Sequence, residues 1–123
     1  MQPLQEPTFL VLTALAAEPQ YGYGIIQAVA ELSEGRVQLR AGTLYPALDR
    51  LTADGLIELA REEVVDSRLR RYYRLTDDGA RRLAADVERQ RHNAEAAAAR
   101  LAARSLPDPA QPTRRRGGRV APA

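Results

Sequence analysis

The sequence contains no cysteine, no tryptophan and no lysine, and it holds one histidine, one methionine and one phenylalanine in 123 residues. Without cysteine there is no disulfide and no thiolate metal site, and the reducing cytoplasm is the simplest compartment to expect. The lone histidine, His92, has no second histidine and no cysteine to share a metal with. It also supports no Ser-His-Asp constellation, and no glycine-rich loop is spaced to cradle a phosphate. The expectation is no metal, no cofactor and no enzyme. No apolar run approaches the roughly 18 residues that a membrane span requires. No basic segment followed by an apolar one opens the chain, so neither membrane insertion nor secretion is expected.

Positive charge is also scarce in the part expected to fold. The net charge is +2, but residues 1–106 hold 14 Arg against 15 acids, a net of −1, and residues 107–123 hold four Arg against Asp108, a net of +3. Charge alone therefore does not identify a nucleic-acid binder; its distribution matters more. Every basic residue is arginine, which, beside so much alanine, reads first as a GC-rich genome and only second as guanidinium chemistry. About 100 residues remain to build a core, a size at which a partner chain helps.

Residues 8–16 are apolar on nearly every side, which predicts a buried first helix between Pro7 and Pro19. In residues 22–33, Tyr23, Ile26, Val29, Ala30 and Leu32 recur at spacings of three and four, predicting an amphipathic second helix that stops at Gly35. Leu44, Leu48 and Leu51 share one face of a third helix that ends at Gly55. With Thr43 as its N-cap, Pro46 falls harmlessly in the first turn; an earlier start costs a hydrogen bond at Pro46. Residues 56–65 and 70–75 read as two strands around an Asp66-Ser67 turn. In the second strand Arg71, Tyr73 and Leu75 face one way and Arg70, Tyr72 and Arg74 the other, with Leu75 and Tyr73 assigned to the core. Thr76 caps a last helix reaching about Arg104, with Asp77 and Asp78 complementing its dipole.

The order helix, helix, helix, strand, strand, helix predicts a mainly α fold with a small β-hairpin. It is a winged helix-turn-helix domain (residues 1–75) plus a long C-terminal dimerisation helix (76–104) packed on the same domain, followed by a disordered Pro- and Arg-rich tail (105–123). The long helix carries more apolar stripe than so small a domain covers, although Gln90, Arg91, His92 and Asn93 interrupt it.

Three segments, Tyr21-Gly22-Tyr23-Gly24-Ile25-Ile26, Gly42-Thr43-Leu44-Tyr45-Pro46-Ala47-Leu48 and Arg71-Tyr72-Tyr73-Arg74-Leu75-Thr76, resemble the PadR family in order and spacing. Asp54-Gly55-Leu56-Ile57 and Gly79 match what lies between and after them, and together they cover about residues 8–82. The resemblance implies a homodimeric regulator, usually a repressor, on a palindromic operator in double-stranded DNA. It also implies a dimer built from the first and last helices, which points to Phe9, Leu83, Val87, Ala94 and Leu101. The chain looks like the short branch of the family, in which some members bind flat hydrophobic effectors between subunits. It departs there by having no tryptophan and no aromatic residue in the last helix.

A helix N-terminus favours phosphate, because free amides and the helix dipole point at it. The start of the third helix places Thr43 and Tyr45 there, with Arg40 just upstream, and Arg50 lies on its far side. The resemblance adds the Tyr23 hydroxyl as a phosphate contact. Arg68, Arg70 and Arg71 bracket the wing tip, and Tyr72 shares the Arg70 face, so these four complete the set expected to meet DNA. Arg114, Arg115, Arg116 and Arg119 either add non-specific attraction or form a solvated tail. Two other readings stay open: a winged-helix module that binds protein, and an activator. A small-molecule effector is expected, but no residue identifies it.

Overall fold

Pro7 lies in the first turn of helix α1 (Glu6–Ala17), where the amide that proline lacks would have had no partner anyway. The chain is described here from a computed structural model that covers residues 2–104. These fall into two compact units, one through Arg89 and one from Gln90. Helix α1 buries Val11, Leu12, Ala14 and Leu15, as its nearly all-round apolar sequence requires.

A two-residue strand, β1 (Gln20–Tyr21), leads directly into α2 (Gly22–Leu32). The sequence pattern did not reveal β1. Ser33 then closes α2: its buried hydroxyl donates to the Val29 carbonyl at 2.8 Å and accepts from the Val37 amide at 2.9 Å. Gly35 follows with φ 85°, the left-handed conformation that commonly ends a helix.

Helix α3 runs Ala41–Ala53 and buries Leu44, Leu48 and Leu51. It begins earlier than a Thr43 cap requires. The Arg40 carbonyl accepts from the amides of Thr43 and Leu44 at 3.0 and 2.8 Å, so Arg40 is the N-cap and Thr43 is the third helical residue. Pro46 is thereby inside the helix, and the Gly42 carbonyl four residues earlier loses its helical donor. The three buried leucines explain why this is tolerated: packing of one apolar face outweighs a single missing bond.

Strands β2 (Ile57–Val65) and β3 (Arg68–Leu75) form the wing around Asp66 and Ser67, whose φ values of 52° and 64° mark a two-residue turn matched to strand twist. The sheet order is β1-β3-β2, antiparallel throughout, with a bulge between Leu59 and Arg61. Tyr73 is buried as expected, and Leu75 packs on the core.

Helix α4 (Asp77–Ala103) starts as the sequence implied. The Thr76 hydroxyl accepts from the Gly79 amide at 2.9 Å and donates to the Gly55 carbonyl at 2.7 Å. A side chain on Gly79 would collide with the Leu56 carbonyl oxygen, so glycine permits the helix to start hard against the root of the wing. In the first unit, the buried Asp86 carboxylate accepts from the Leu4 amide at 3.1 Å, and Arg82 donates to the Gln2 carbonyl at 2.7 Å. The N-terminal arm is thus tied to α4. From Gln90 onward every described residue is exposed.

Among the described residues, four helices with a small three-stranded sheet make a winged-helix fold with a long C-terminal helix. Val11, Leu12, Leu15, Ile25, Val29, Leu44, Leu48, Leu51, Ile57, Tyr73 and Leu83 form its core. The tail from residue 105, with its expected disorder, lies outside the described residues.

Candidate nucleic-acid interface

Helices α2 and α3 both begin without a side-chain cap, so no side chain satisfies their first amides, which in α3 are those of Ala41 and Gly42. Tyr45 projects from the first turns of α3 and lays its hydroxyl against the backbone of Gly22, the first residue of α2. Any side chain at position 22 would occupy the same space. This contact brings the two helix starts together. Tyr23 and Tyr45 remain 57% and 48% exposed.

The wing closes the third side. A cleft of about 460 Å³ is lined by Tyr21, Tyr23 and Tyr45 from the helix starts, and by Val65, Asp66, Arg68, Leu69 and Arg70 from the wing. Of the residues expected to meet DNA, Tyr23, Tyr45, Arg68 and Arg70 therefore share one concavity. Arg40 and Thr43 are exposed at the start of α3 but do not line it. Arg50 is exposed in the last turn of α3, nine residues on from Ala41 and so about 13 Å along the axis.

The wing arginines differ in what holds them. Arg71 pairs with Glu62, its cross-strand neighbour, at 3.2 Å. Arg74 pairs with Glu58 at 2.8 Å, and Arg61 with Glu63 at 2.9 Å. The Arg61 guanidinium holds the Glu63 carboxyl below the usual glutamate value of 4.5. Arg70 faces Glu63 across the strands, yet its guanidinium lies over the Tyr21 ring, 4.4 Å from the centroid. The Tyr72 hydroxyl, more than any other neighbour, raises the Arg70 guanidinium further above its already high value. Arg68 makes no ion pair among the described residues.

Tyr72 is half-buried, with its ring between Tyr21, at 5.4 Å between centroids, and the Arg61 guanidinium, at 3.9 Å. Sequence reasoning missed Tyr21 and the acids opposite the wing arginines. A signal for the acids was present: a two-residue turn at 66–67 sets Glu63 opposite Arg70 and Glu62 opposite Arg71. Tyr21 gave no such signal, because its role depends on β1 pairing with a distant strand.

The residues expected at a subunit contact separate by burial. Leu83 is part of the chain's own core, and Phe9 packs partly against that core. Val87 is half-buried, and Ala94 and Leu101 are exposed. Among the described residues no group of three His, Cys, Asp or Glu is arranged to hold a metal ion. No helix there is long and apolar enough to cross a membrane.

Residues 11–85 match the family described as transcriptional regulator PadR-like. Transcriptional regulator Rv3488 of Mycobacterium tuberculosis is 48% identical over 56 residues, which are 46% of this chain and 51% of that protein. The chain thus spans about half the length of this curated relative. A PadR family transcription regulator from Clostridium difficile superimposes with a TM-score of 0.66 at 24% identity, over 79% of this chain and 99% of that one, a likeness of fold. Bacillus subtilis PadR, solved in complex with operator DNA, superimposes with a TM-score of 0.58 at 25% identity, over 67% of this chain and 46% of that one.

Proposed function

Since the chain belongs to the PadR-like family of transcriptional regulators, we propose that it is a sequence-specific, homodimeric DNA-binding repressor. It acts in the cytoplasm on a palindromic operator and is released by a small molecule or another signal. The observation that carries this reading is the cleft where Tyr23, Tyr45, Arg68 and Arg70 meet. Two uncapped helix starts supply amides for phosphate, two tyrosines supply hydroxyls, and two arginines supply charge. The operator complex of the Bacillus subtilis relative supports the same partner.

In this reading α3 enters the major groove with Thr43 and Tyr45 leading, and Tyr23 and Arg40 meet the flanking backbone. Arg68 and Arg70 follow from the wing, and Arg50 reaches phosphate at the margin; Arg71, paired with Glu62, reaches it only where that pair opens. Tyr72 backs this surface from outside the cleft, on the Arg70 face of β3. Exposed Ala94 and Leu101 on α4, with Val87 and part of Phe9, form the subunit contact.

The test is titration of labelled DNA from upstream of the chain's own gene, followed by anisotropy, with unlabelled random DNA as competitor. Tight binding that random competitor fails to displace, and a two-fold symmetric site protected in nuclease footprinting of the same DNA, are the expected results. Equal affinity for random DNA at moderate salt, or no binding, overturns the reading.

A further inference from the structure

Arg61, Tyr72 and Tyr21 form a row across the three strands. Arg61 is the cross-strand partner of Tyr72 in β2, and Tyr21 is its partner in β1. Side chains at paired positions point to the same face of a sheet, and here they stack. The Arg61 guanidinium sits 3.9 Å from the Tyr72 ring centroid, and the Tyr72 and Tyr21 rings lie 5.4 Å apart at 52°. Arg70, two residues from Tyr72 on the same strand face, completes the stack 4.4 Å from the Tyr21 centroid. Arg70 and Tyr21 line the cleft; Tyr72 and Arg61 do not.

The row solves an electrostatic problem. Glu63 is the cross-strand partner of Arg70 and would neutralise it, as Glu62 pairs with Arg71. Instead Glu63 is held by Arg61 at 2.9 Å. An aromatic face steadies a guanidinium without cancelling its charge, whereas a carboxylate cancels it. Arg70 is therefore held by rings and makes no ion pair with Glu63, which Arg61 takes, although the charges of Glu63 and Asp66 still act on it through space.

We infer that Arg61 and Tyr72 are positioning residues for DNA binding, which fix Arg70 over Tyr21 and divert Glu63 from an ion pair with it, so that the Arg70 guanidinium stays available to phosphate. Neither needs to touch DNA. The inference rests on the DNA-binding reading above. It goes beyond it by assigning the wing's affinity to a stacked row that the sequence reading did not connect.

The experiment is a set of mutant cycles on the full chain, with operator affinity measured across a salt series. Arg70→Ala should lower the salt slope by about 0.9, the loss of one phosphate contact. Tyr72→Leu keeps apolar bulk but removes the ring, and Arg61→Ala releases Glu63. Each should weaken binding roughly 2- to 5-fold, the size of an exposed cation–π contact, in the native background and not at all in Arg70→Ala. Glu63→Gln should restore binding to Arg61→Ala only while Arg70 is present. Circular dichroism melts identify any variant that unfolds, and Arg61→Ala, on an exposed side chain, serves if Tyr72→Leu does. Equal losses with and without Arg70 overturn the inference and leave the DNA-binding reading intact. No binding by the unmodified chain overturns both.

Discussion

The Tyr45 hydroxyl rests against the backbone of Gly22, joining the fifth residue of α3 to the first of α2. The obstacle that a methyl group at position 22 meets is the far end of a side chain, which can swing aside. Gly22→Ala should therefore leave the fold intact, and alanine loses less backbone entropy on folding than glycine does. The displaced Tyr45 ring, however, leaves the cleft. The expected outcome is an unchanged or slightly raised melting temperature with weakened operator binding. Parallel thermal melts and anisotropy titrations check the split.

Gly79 gives the opposite result, because its obstacle is the Leu56 carbonyl oxygen, part of the backbone. Gly79→Ala must separate the start of α4 from the wing root. That should cost about 1–3 kcal/mol, or several degrees per kcal/mol in melting temperature at this domain size. Thr76→Ala removes the cap on the same turn and should cost about 0.5–2 kcal/mol. Calorimetry of the two variants and of the double variant tests whether they act on one contact, in which case the losses do not add.

Where the sequence was legible, the cause was local. Leu44, Leu48 and Leu51 announce a helical face by spacing, Tyr73 and Leu75 announce a strand face by alternation, and Thr76 announces a cap by its hydroxyl and the acids after it. What escaped depends on partners distant in sequence. Two residues cannot show a period, so β1 exists only because Gln20 and Tyr21 find Tyr73 and Tyr72. The start of α3 stayed open in the sequence between a Thr43 cap and an earlier start that loses a bond at Pro46, and tertiary packing decided for the earlier one. The pairing of the wing arginines with acids was not drawn because Glu62 and Glu63 lie on the strand before the turn, whereas their influence runs across it.

Leu83 is buried in the core, whereas Leu101 on the same helix is 40% exposed. Leu83→Ala should destabilise the monomer core by about 2–5 kcal/mol. Leu101→Glu should leave the secondary structure unchanged and shift the sedimentation coefficient from dimer towards monomer. A dimer of undiminished affinity in Leu101→Glu would remove this part of α4 from the subunit contact.

Two carboxyls, Glu6 beside Arg36 and Glu63 beside Arg61, are held below the ordinary glutamate value of 4.5, chiefly by hydrogen bonds from those guanidinium groups. A carboxyl lowered in the folded state contributes stability that is fully present above 4.5 and is lost as pH falls through the lowered folded value. Both sites are exposed, so the contribution shrinks with salt. Carboxyl-carbon NMR titration should place both midpoints below 4.5, and Arg61→Ala should return Glu63 towards it while leaving Glu6 unmoved.

The last prediction separates three arginines that look equivalent along β3. Arg68 has no acid partner among the described residues, Arg70 lies over an aromatic ring, and Arg71 is paired with Glu62. A cation already neutralised by a neighbour releases fewer counterions when it meets phosphate. Arg68→Ala and Arg70→Ala should each reduce the slope of log affinity against log salt by up to about 1. Arg71→Ala should reduce it less, and Arg71→Ala combined with Glu62→Gln should return affinity close to that of the unmodified chain. A slope change for Arg71→Ala as large as for Arg68→Ala would mean that the Glu62 pair opens on binding, and that the wing presents three cations to DNA instead of two.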